Sequence, residues 1–338
     1  MRRIQSWWRT TIVIAVCSTL AVVAPAPASA VPVDMTVAIG QVAPAVTRID
    51  TTINYQHAIG AGTGVVLDPG GAVLTNFHVV QGADRITATV AGQSFPADLV
   101  GYDREHDIAV LQLRGAGGLP VGPIGDSSRL AEGDPVVALG NASGSDSPLT
   151  QEAGAVVGFG RTISAKDELT GTANQMTGLI EFAAPVRAGD SGGPLVNGAG
   201  QVVGVTTAAT LNFRMGPGGK GFAIPINDAM AVAGQIRSGA RNDSVHIGPP
   251  TLLGVGVSAR EQQQGLPGVI IHEVLSGGPA QQAGLLDGDV LVSIDGVQLN
   301  SATSLTTVLD HHYPGDVVDL VWIDRGGQQH DGKAALSS

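Results

Sequence analysis

The chain has 338 residues, of which 43% are hydrophobic and only 14% charged, and carries a net charge of −11. That length fits two compact domains, and the high apolar content with low charge excludes an extended disordered chain. Lysine is confined to Lys166, Lys220 and Lys333, so no basic stripe offsets the acidic body, which argues against nucleic acid as a primary partner.

Residues 1–30 fall into three zones: a basic start with Arg2, Arg3 and Arg9, an apolar run from about Thr11 to Ala24, and the small residues Ala28-Ser29-Ala30. This is the layout of a secretory signal peptide, with cleavage expected after Ala30. The apolar run is shorter than the ~20 residues that span a bilayer, so the expectation is a secreted or cell-envelope protein with no stable membrane span after cleavage. Cys17, the only cysteine, lies inside that run. A mature chain without it has no disulfide, no thiol nucleophile and no cysteine metal site.

Val33 to Thr47 is apolar and small and carries no obvious motif. From Gly60 the chain becomes a series of short β-branched runs cut by Gly and Pro: Gly64 to Leu67, Ala72 to Thr75, Ile86 to Val90, Ile108 to Leu113, Pro135 to Leu139, Gly154 to Gly158, Gly178 to Phe182, Pro194 to Val196 and Gln201 to Thr206. Strands at this spacing predict a sandwich or barrel. Two stretches, Arg161 to Thr177 and Leu211 to Gly221, break the rhythm and read as long loops. Asn227 is expected to cap a helix that carries Met230, Ala233 and Ile236 at a spacing of three and stops at Gly239. The polar segment to Pro250 reads as a linker. Beyond it, strands at Leu252 to Val257, Val269 to Val274, Val290 to Ile294 and Val317 to Ile323 alternate with a short helix near Pro279 to Ala283 and a longer one after Ser301, and a turn at Arg325-Gly326-Gly327 leads to a last strand.

Three motifs carry chemistry. In Gly189-Asp190-Ser191-Gly192-Gly193-Pro194 the glycines permit a tight turn that exposes a serine Oγ and aims nearby amides at a developing oxyanion; a serine between glycines is also an ordinary turn. His78 stands at the end of the apolar run Val73-Leu74-Thr75-Asn76-Phe77, where a rigid element holds an imidazole in place. Its competitors His57 and His106 sit in polar surroundings with less to fix a ring. Asp107 immediately precedes the apolar run Ile108 to Leu111, where a buried carboxylate can orient an imidazole; Asp103 and Glu105 read as solvated turn acids.

The order His78, Asp107, Ser191, together with Thr75-Asn76-Phe77-His78-Val79-Val80, Asp107-Ile108-Ala109-Val110-Leu111, Gly140-Asn141, Gly189 to Leu195 and Gly221-Phe222-Ala223-Ile224-Pro225, resembles the HtrA family of PDZ-containing serine proteases, over about residues 40 to 336. The resemblance implies a mainly β chain: a chymotrypsin-like double β-barrel protease (31–240), a linker (241–250) and a small α+β PDZ domain (251–338), after the signal peptide (1–30). It implies Ser191 as nucleophile, His78 as general base and acid, Asp107 as its orienter, and the amides of Gly189 and Ser191 as the oxyanion hole, with no metal or organic cofactor. Protein or peptide substrates are the implied partners, and relatives that trimerise near the protease N-terminus leave a homotrimer open. The alternative function is a chaperone or binding protein with secondary proteolysis.

Two positions depart from the family. Many members have Asn where this chain has Asp190, a residue that in digestive relatives pairs with a new amino terminus after zymogen cleavage; Val31-Pro32 does not resemble such a terminus. Ala183 stands where the family usually carries an Asp, which bears on how the active-site loop is held. An acid at the pocket base six residues before the nucleophile selects Lys or Arg in trypsin-like relatives; here that position is Pro185, and cleavage after small or medium aliphatic residues is expected.

Leu252-Leu253-Gly254-Val255 resembles the carboxylate-binding loop of PDZ domains, and Gly284 to Leu291 with Ile294-Asp295-Gly296 completes the wider pattern. The amides of Leu253, Gly254 and Val255 are expected to hold the C-terminal carboxylate of a peptide laid between this edge and the helix from about Ala302 to His311.

Overall fold

The structure is a computed structural model that describes residues 35–53, 58–141, 148–166, 173–207, 219–257 and 268–338. The expected signal peptide, His57 and the centres of the two expected long loops lie outside the described residues. Among the described residues no helix is long and apolar enough to cross a membrane.

A short helix α1 (Thr36–Val42), which buries Ala38 and Val42, leads into the first sheet. That sheet contains β1 (Val46–Ile53), β2 (Ala58–Val66), β3 (Ala72–Thr75), β4 (Arg85–Val90), β5 (Gln93–Asp103) and β6 (Ile108–Leu113). The strands run antiparallel in the order β5-β4-β1-β2-β3-β6, and β5 also pairs with β6, so the sheet curls into a ring. Between β3 and β4 lies the single helical turn α2 (Phe77–Val80). The second sheet is a closed six-stranded barrel of β7 (Pro135–Gly140), β8 (Thr150–Lys166), β9 (Ala173–Phe182), β10 (Pro194–Asn197), β11 (Val202–Thr207) and β12 (Gly221–Pro225). Its interior is packed by Val136, Ala138, Val156, Ile180, Phe182, Leu195, Val203 and Ala223. β-branched residues fit such pleated, buried surfaces, which is why the apolar runs became strands.

Helix α3 (Ile226–Ser238) follows the barrel and buries Ile226, Ala229, Val232, Ala233 and Ile236, a helical stripe that packs against β5, β6 and β11. Gly239 closes it in the left-handed region, as expected. Asn227 does not cap it: Pro225 holds the cap position, and Asn227 instead accepts from the Ser127 amide and donates to Asp126, fixing the helix start to the preceding loop.

The segment read as a linker contains β13 (Val245–Ile247), which adds to the edge of the first sheet beside β5. The expected long loop from Arg161 is also a strand: β8 runs on to Lys166 and pairs with β9 from Ala173, through three bulges. Its polarity misled because a ribbon has no core behind it to demand apolar alternation.

The C-terminal unit has its own core, built around Leu253, Ile271, Leu285, Leu291, Ile294, Leu305, Val318, Leu320 and Trp322. Its strands β14 (Val255–Val257), β15 (Val269–Val274), β16 (Val290–Ile294), β17 (Val297–Gln298), β18 (Val317–Ile323) and β19 (Gln329–Ala335) form one sheet, accompanied by α4 (Pro279–Ala283) and α5 (Ala302–Asp310). Ser301 starts α5 with a reciprocal capping box to Ser304. The chain is thus a mainly β protein with one closed barrel, one ring-like sheet and a small β-rich C-terminal unit.

Candidate active site

Strand β3 ends at Thr75, and the turn α2 that follows carries His78. The histidine therefore sits just past the strand end that its sequence context predicts. Across from it, Asp107 ends the turn before β6 with φ of 54°, a left-handed conformation that Asp tolerates better than most residues and that recurs at functional sites. This geometry lets both ends of Asp107 face α2. Its carbonyl accepts from the Phe77 amide at 3.2 Å and from Asn76 Nδ2 at 2.9 Å. Its carboxylate accepts from the His78 amide at 2.9 Å and from His78 Nδ1 at 2.7 Å. An ionised carboxylate only accepts, so Nδ1 carries the proton and Nε2 of the neutral ring is left basic. The Asp107 side chain is 9% exposed and the His78 side chain 37%, a buried carboxylate beside a more accessible imidazole.

Ser191 lies in the turn before β10, itself buried. Thr63 of β2 ties this turn to the first sheet. Its amide donates to the Ser191 carbonyl at 2.8 Å and its hydroxyl to the Gly189 carbonyl at 2.6 Å, and that hydroxyl accepts from the Asn141 amide at 3.0 Å. Thr75, in turn, donates to the Thr63 carbonyl at 2.7 Å. Gly192, with φ of 84°, packs so tightly that a β-carbon there would strike the Thr63 carbonyl and the Thr75 hydroxyl and approach the Asn76 amide to 3.1 Å. The serine turn and the residues leading into His78 thus share one wall. Thr63 was not singled out from sequence, because a threonine within a strand carries no signal of the backbone it will hold.

Asp103 and His106 correct the expectation. Asp103 is not a solvated turn acid: its side chain is 1% exposed and accepts from the His106 amide at 2.9 Å and from His106 Nδ1 at 2.8 Å. His106 therefore has a fixed ring after all.

Beside this site, four rings stack in a column: Phe77 on Tyr102 at 4.1 Å, Tyr102 on His246 at 5.0 Å, and His246 on Tyr313 at 4.5 Å. Arg104 lies 4.8 Å above Phe77 and donates to Asp310 at 2.6 Å, as does the Tyr102 hydroxyl. Burial, with Asp310 adding to it, pushes the Tyr102 phenol far above its ordinary range, so it stays a donor.

In the C-terminal unit, Gly254 adopts φ of 79°, and the carbonyls of Leu253 and Gly254 accept from the amides of Ala280 and Leu275, each at 2.9 Å. The Leu253 side chain is in the core, as are Leu305, Val308 and Leu309 of α5.

Residues 62–205 match the trypsin-like peptidase domain model, and residues 251–334 match the PDZ domain model. The serine protease Do-like HtrA of Lactococcus lactis is 31% identical over 289 residues, covering 82% of this chain and 70% of the relative. The chain belongs to the HtrA-like serine proteases. Serine protease PepD of Mycobacterium tuberculosis is 32% identical over 303 residues, covering 85% of this chain and 62% of its own length. The solved HtrA-type protease AlgW with tripeptide superposes with a TM-score of 0.53 at 30% identity, over 90% of this chain and 97% of that one. Several relatives are longer: this HtrA-like chain spans 64% of HhoA of Synechocystis sp. and 53% of the Do-like HtrB of Bacillus subtilis.

Proposed function

We propose that the chain is an exported serine endopeptidase in which Ser191, His78 and Asp107 form the catalytic triad. The observation that carries this reading is the His78–Asp107 pair, which presents a basic Nε2 on the same wall that holds the Ser191 turn. In the reaction His78 takes the Ser191 proton as Oγ adds to the scissile carbonyl, and the amides of Gly189 and Ser191 receive the oxyanion. His78 then passes the proton to the leaving amine, and water repeats the sequence to release the acyl group. No metal or organic cofactor enters this scheme. Casein hydrolysis that disappears in Ser191→Ala tests it; hydrolysis that persists would assign the chemistry to another nucleophile, and a wild-type chain that leaves casein intact would move the chain to the binding-protein reading.

The finer assignments belong to the same proposal. The ring-like first sheet and the closed barrel correspond to the two barrels of the protease, residues 31–240, and 251–338 to the PDZ domain. Residues 1–30 direct export to the outside or the cell envelope, and secreted protein should begin at Val31. Pro185 and Val186, with no acid between them and the nucleophile turn other than the enclosed Asp190, favour cleavage after Val, Ala or Ile. Dominant cuts after Arg or Lys would overturn that specificity. The amides of Leu253, Gly254 and Val255 bind a peptide C-terminus, so amidating the peptide should abolish most affinity. A solution mass measurement decides between monomer and homotrimer.

A further inference from the structure

The carboxylate of Asp190, next to the nucleophile, is 1% exposed. A charge withdrawn from water to this degree requires hydrogen-bond donors. Two come from within the barrel. The Arg187 amide donates to Oδ2 at 2.9 Å, and the hydroxyl of Thr150, at the start of β8, donates to Oδ1. Gly140, at the end of β7, makes room for this arrangement: a β-carbon on it would lie 2.7 Å from Asp190 Cα and 2.9 Å from Cβ. Asp190 is also held through its backbone. Its amide donates to the Arg187 carbonyl at 3.0 Å, and its carbonyl accepts from the Gly193 amide at 3.0 Å.

These contacts determine the direction of the Ser191 amide. The peptide bond is planar, so an Asp190 carbonyl tied to Gly193 points the Ser191 N–H the opposite way. The preceding peptide is pinned at both ends, the Gly189 carbonyl by the Thr63 hydroxyl and the Asp190 amide by Arg187. The side-chain carboxylate is a further lever on the torsions of residue 190, and Thr150 holds one of its oxygens.

We propose that Thr150 and Asp190 form an internal latch that positions the oxyanion-hole amides for catalysis, with a side-chain hydroxyl of β8 serving as the donor that sets the carboxylate. The latch rests on the reading of Ser191 as nucleophile. Thr150 and Asp190 are positioning residues: neither touches substrate. Without the hydroxyl, Oδ1 loses this donor, the carboxylate shifts, and the turn carrying Gly189 and Ser191 follows it. Ground-state binding in the specificity pocket and along the neighbouring strands is little affected, because the oxyanion contacts matter mainly in the transition state.

The test uses the full chain, a fluorogenic peptide spanning a mapped cleavage site and a fluorophosphonate that labels reactive serine. Thr150→Val, nearly isosteric, should lower kcat by about tenfold to a hundredfold, of the order seen for partial loss of oxyanion stabilisation, with KM changed less than about threefold and a matching fall in the labelling rate. Thr150→Ser should restore both. A Thr150→Val enzyme that keeps its kcat, or that loses activity only through KM, overturns the latch, as does a Thr150→Ser enzyme that stays as slow as the valine variant. Thermal unfolding of the wild type and both variants checks that the loss occurs in folded protein. Failure of the underlying reading looks different: wild-type chain that neither hydrolyses peptide nor takes up the label, or hydrolysis that survives Ser191→Ala.

Discussion

Two His–Asp pairs stand side by side in this molecule. In each, one carboxylate oxygen accepts from the histidine amide and the other from its Nδ1, at nearly the same distances. They differ in what surrounds them. Asp103 and His106 are three residues apart in one turn, and the His106 side chain is 51% exposed. Asp107 and His78 are brought together by separate elements, α2 and the turn before β6, against the wall that holds the serine turn. A carboxylate-fixed imidazole is therefore not by itself the mark of an active site: a local turn builds one within three residues, whereas the other forms where β3 pairs with β6.

The two pairs should differ most at their acids. Asp107→Asn keeps the shape of the site but favours the wrong tautomer of His78, and kcat should fall by about ten-thousandfold. Asp103→Asn should leave kcat essentially unchanged while costing about 1 kcal/mol of stability for the weakened buried hydrogen bonds. Equal losses of kcat in the two variants would show that His106 shares in the chemistry. Peptide kinetics and denaturant unfolding on the same preparations supply both readouts.

Arg104, within the Asp103–His106 turn, links Phe77 to the C-terminal unit through its ion pair with Asp310. Asp310→Ala leaves the Tyr102 hydroxyl and the Arg104 guanidinium without this acceptor, at a cost of about 1.5 to 3 kcal/mol. The expected signature is earlier cleavage by an added protease between the first sheet and the C-terminal unit, with the Asp103–His106 pair unaffected. Unchanged protease resistance would mean that the remaining contacts, the ring column and the His246 hydrogen bond to the Asp310 carbonyl, hold the two regions together.

The smallest effect concerns a carboxylate held without histidine. Lys220 holds the Glu181 carboxyl below its ordinary range, with Arg161 adding and burial opposing. A depressed folded-state pKa gives stability that is present above the ordinary Glu range, near pH 4.3, and is lost as the pH falls through the folded value. Glu181→Gln should flatten the acid side of the stability curve slightly without touching kcat at neutral pH. An unchanged acid limb would show that this ion-pair network contributes nothing measurable, as many exposed pairs do.

Much was legible in the linear chain because it depends on local chemistry. Short β-branched runs and glycine punctuation marked β3, β6, β7, β15, β16 and β18 almost to the residue. The motifs around His78, Asp107 and Ser191 marked the candidate site by order and context. The start of α5 after Ser301 and the stop at Gly239 were readable for the same reason, since each acts within one turn of chain. The sequence misplaced what depends on partners far along the chain. Strand β13 looked like a linker because its reason for being extended is the edge of β5. Asp103 looked solvated because only the folded sheet buries it. Thr63 and Thr150 are ordinary residues until tertiary packing brings their hydroxyls to the carbonyl of Gly189 and the carboxylate of Asp190. Residue type and local pattern determined which groups carry reactive chemistry; only closure of the sheets decided which backbone and side-chain dipoles hold them, because a hydrogen bond between residues so distant in sequence has no local signature.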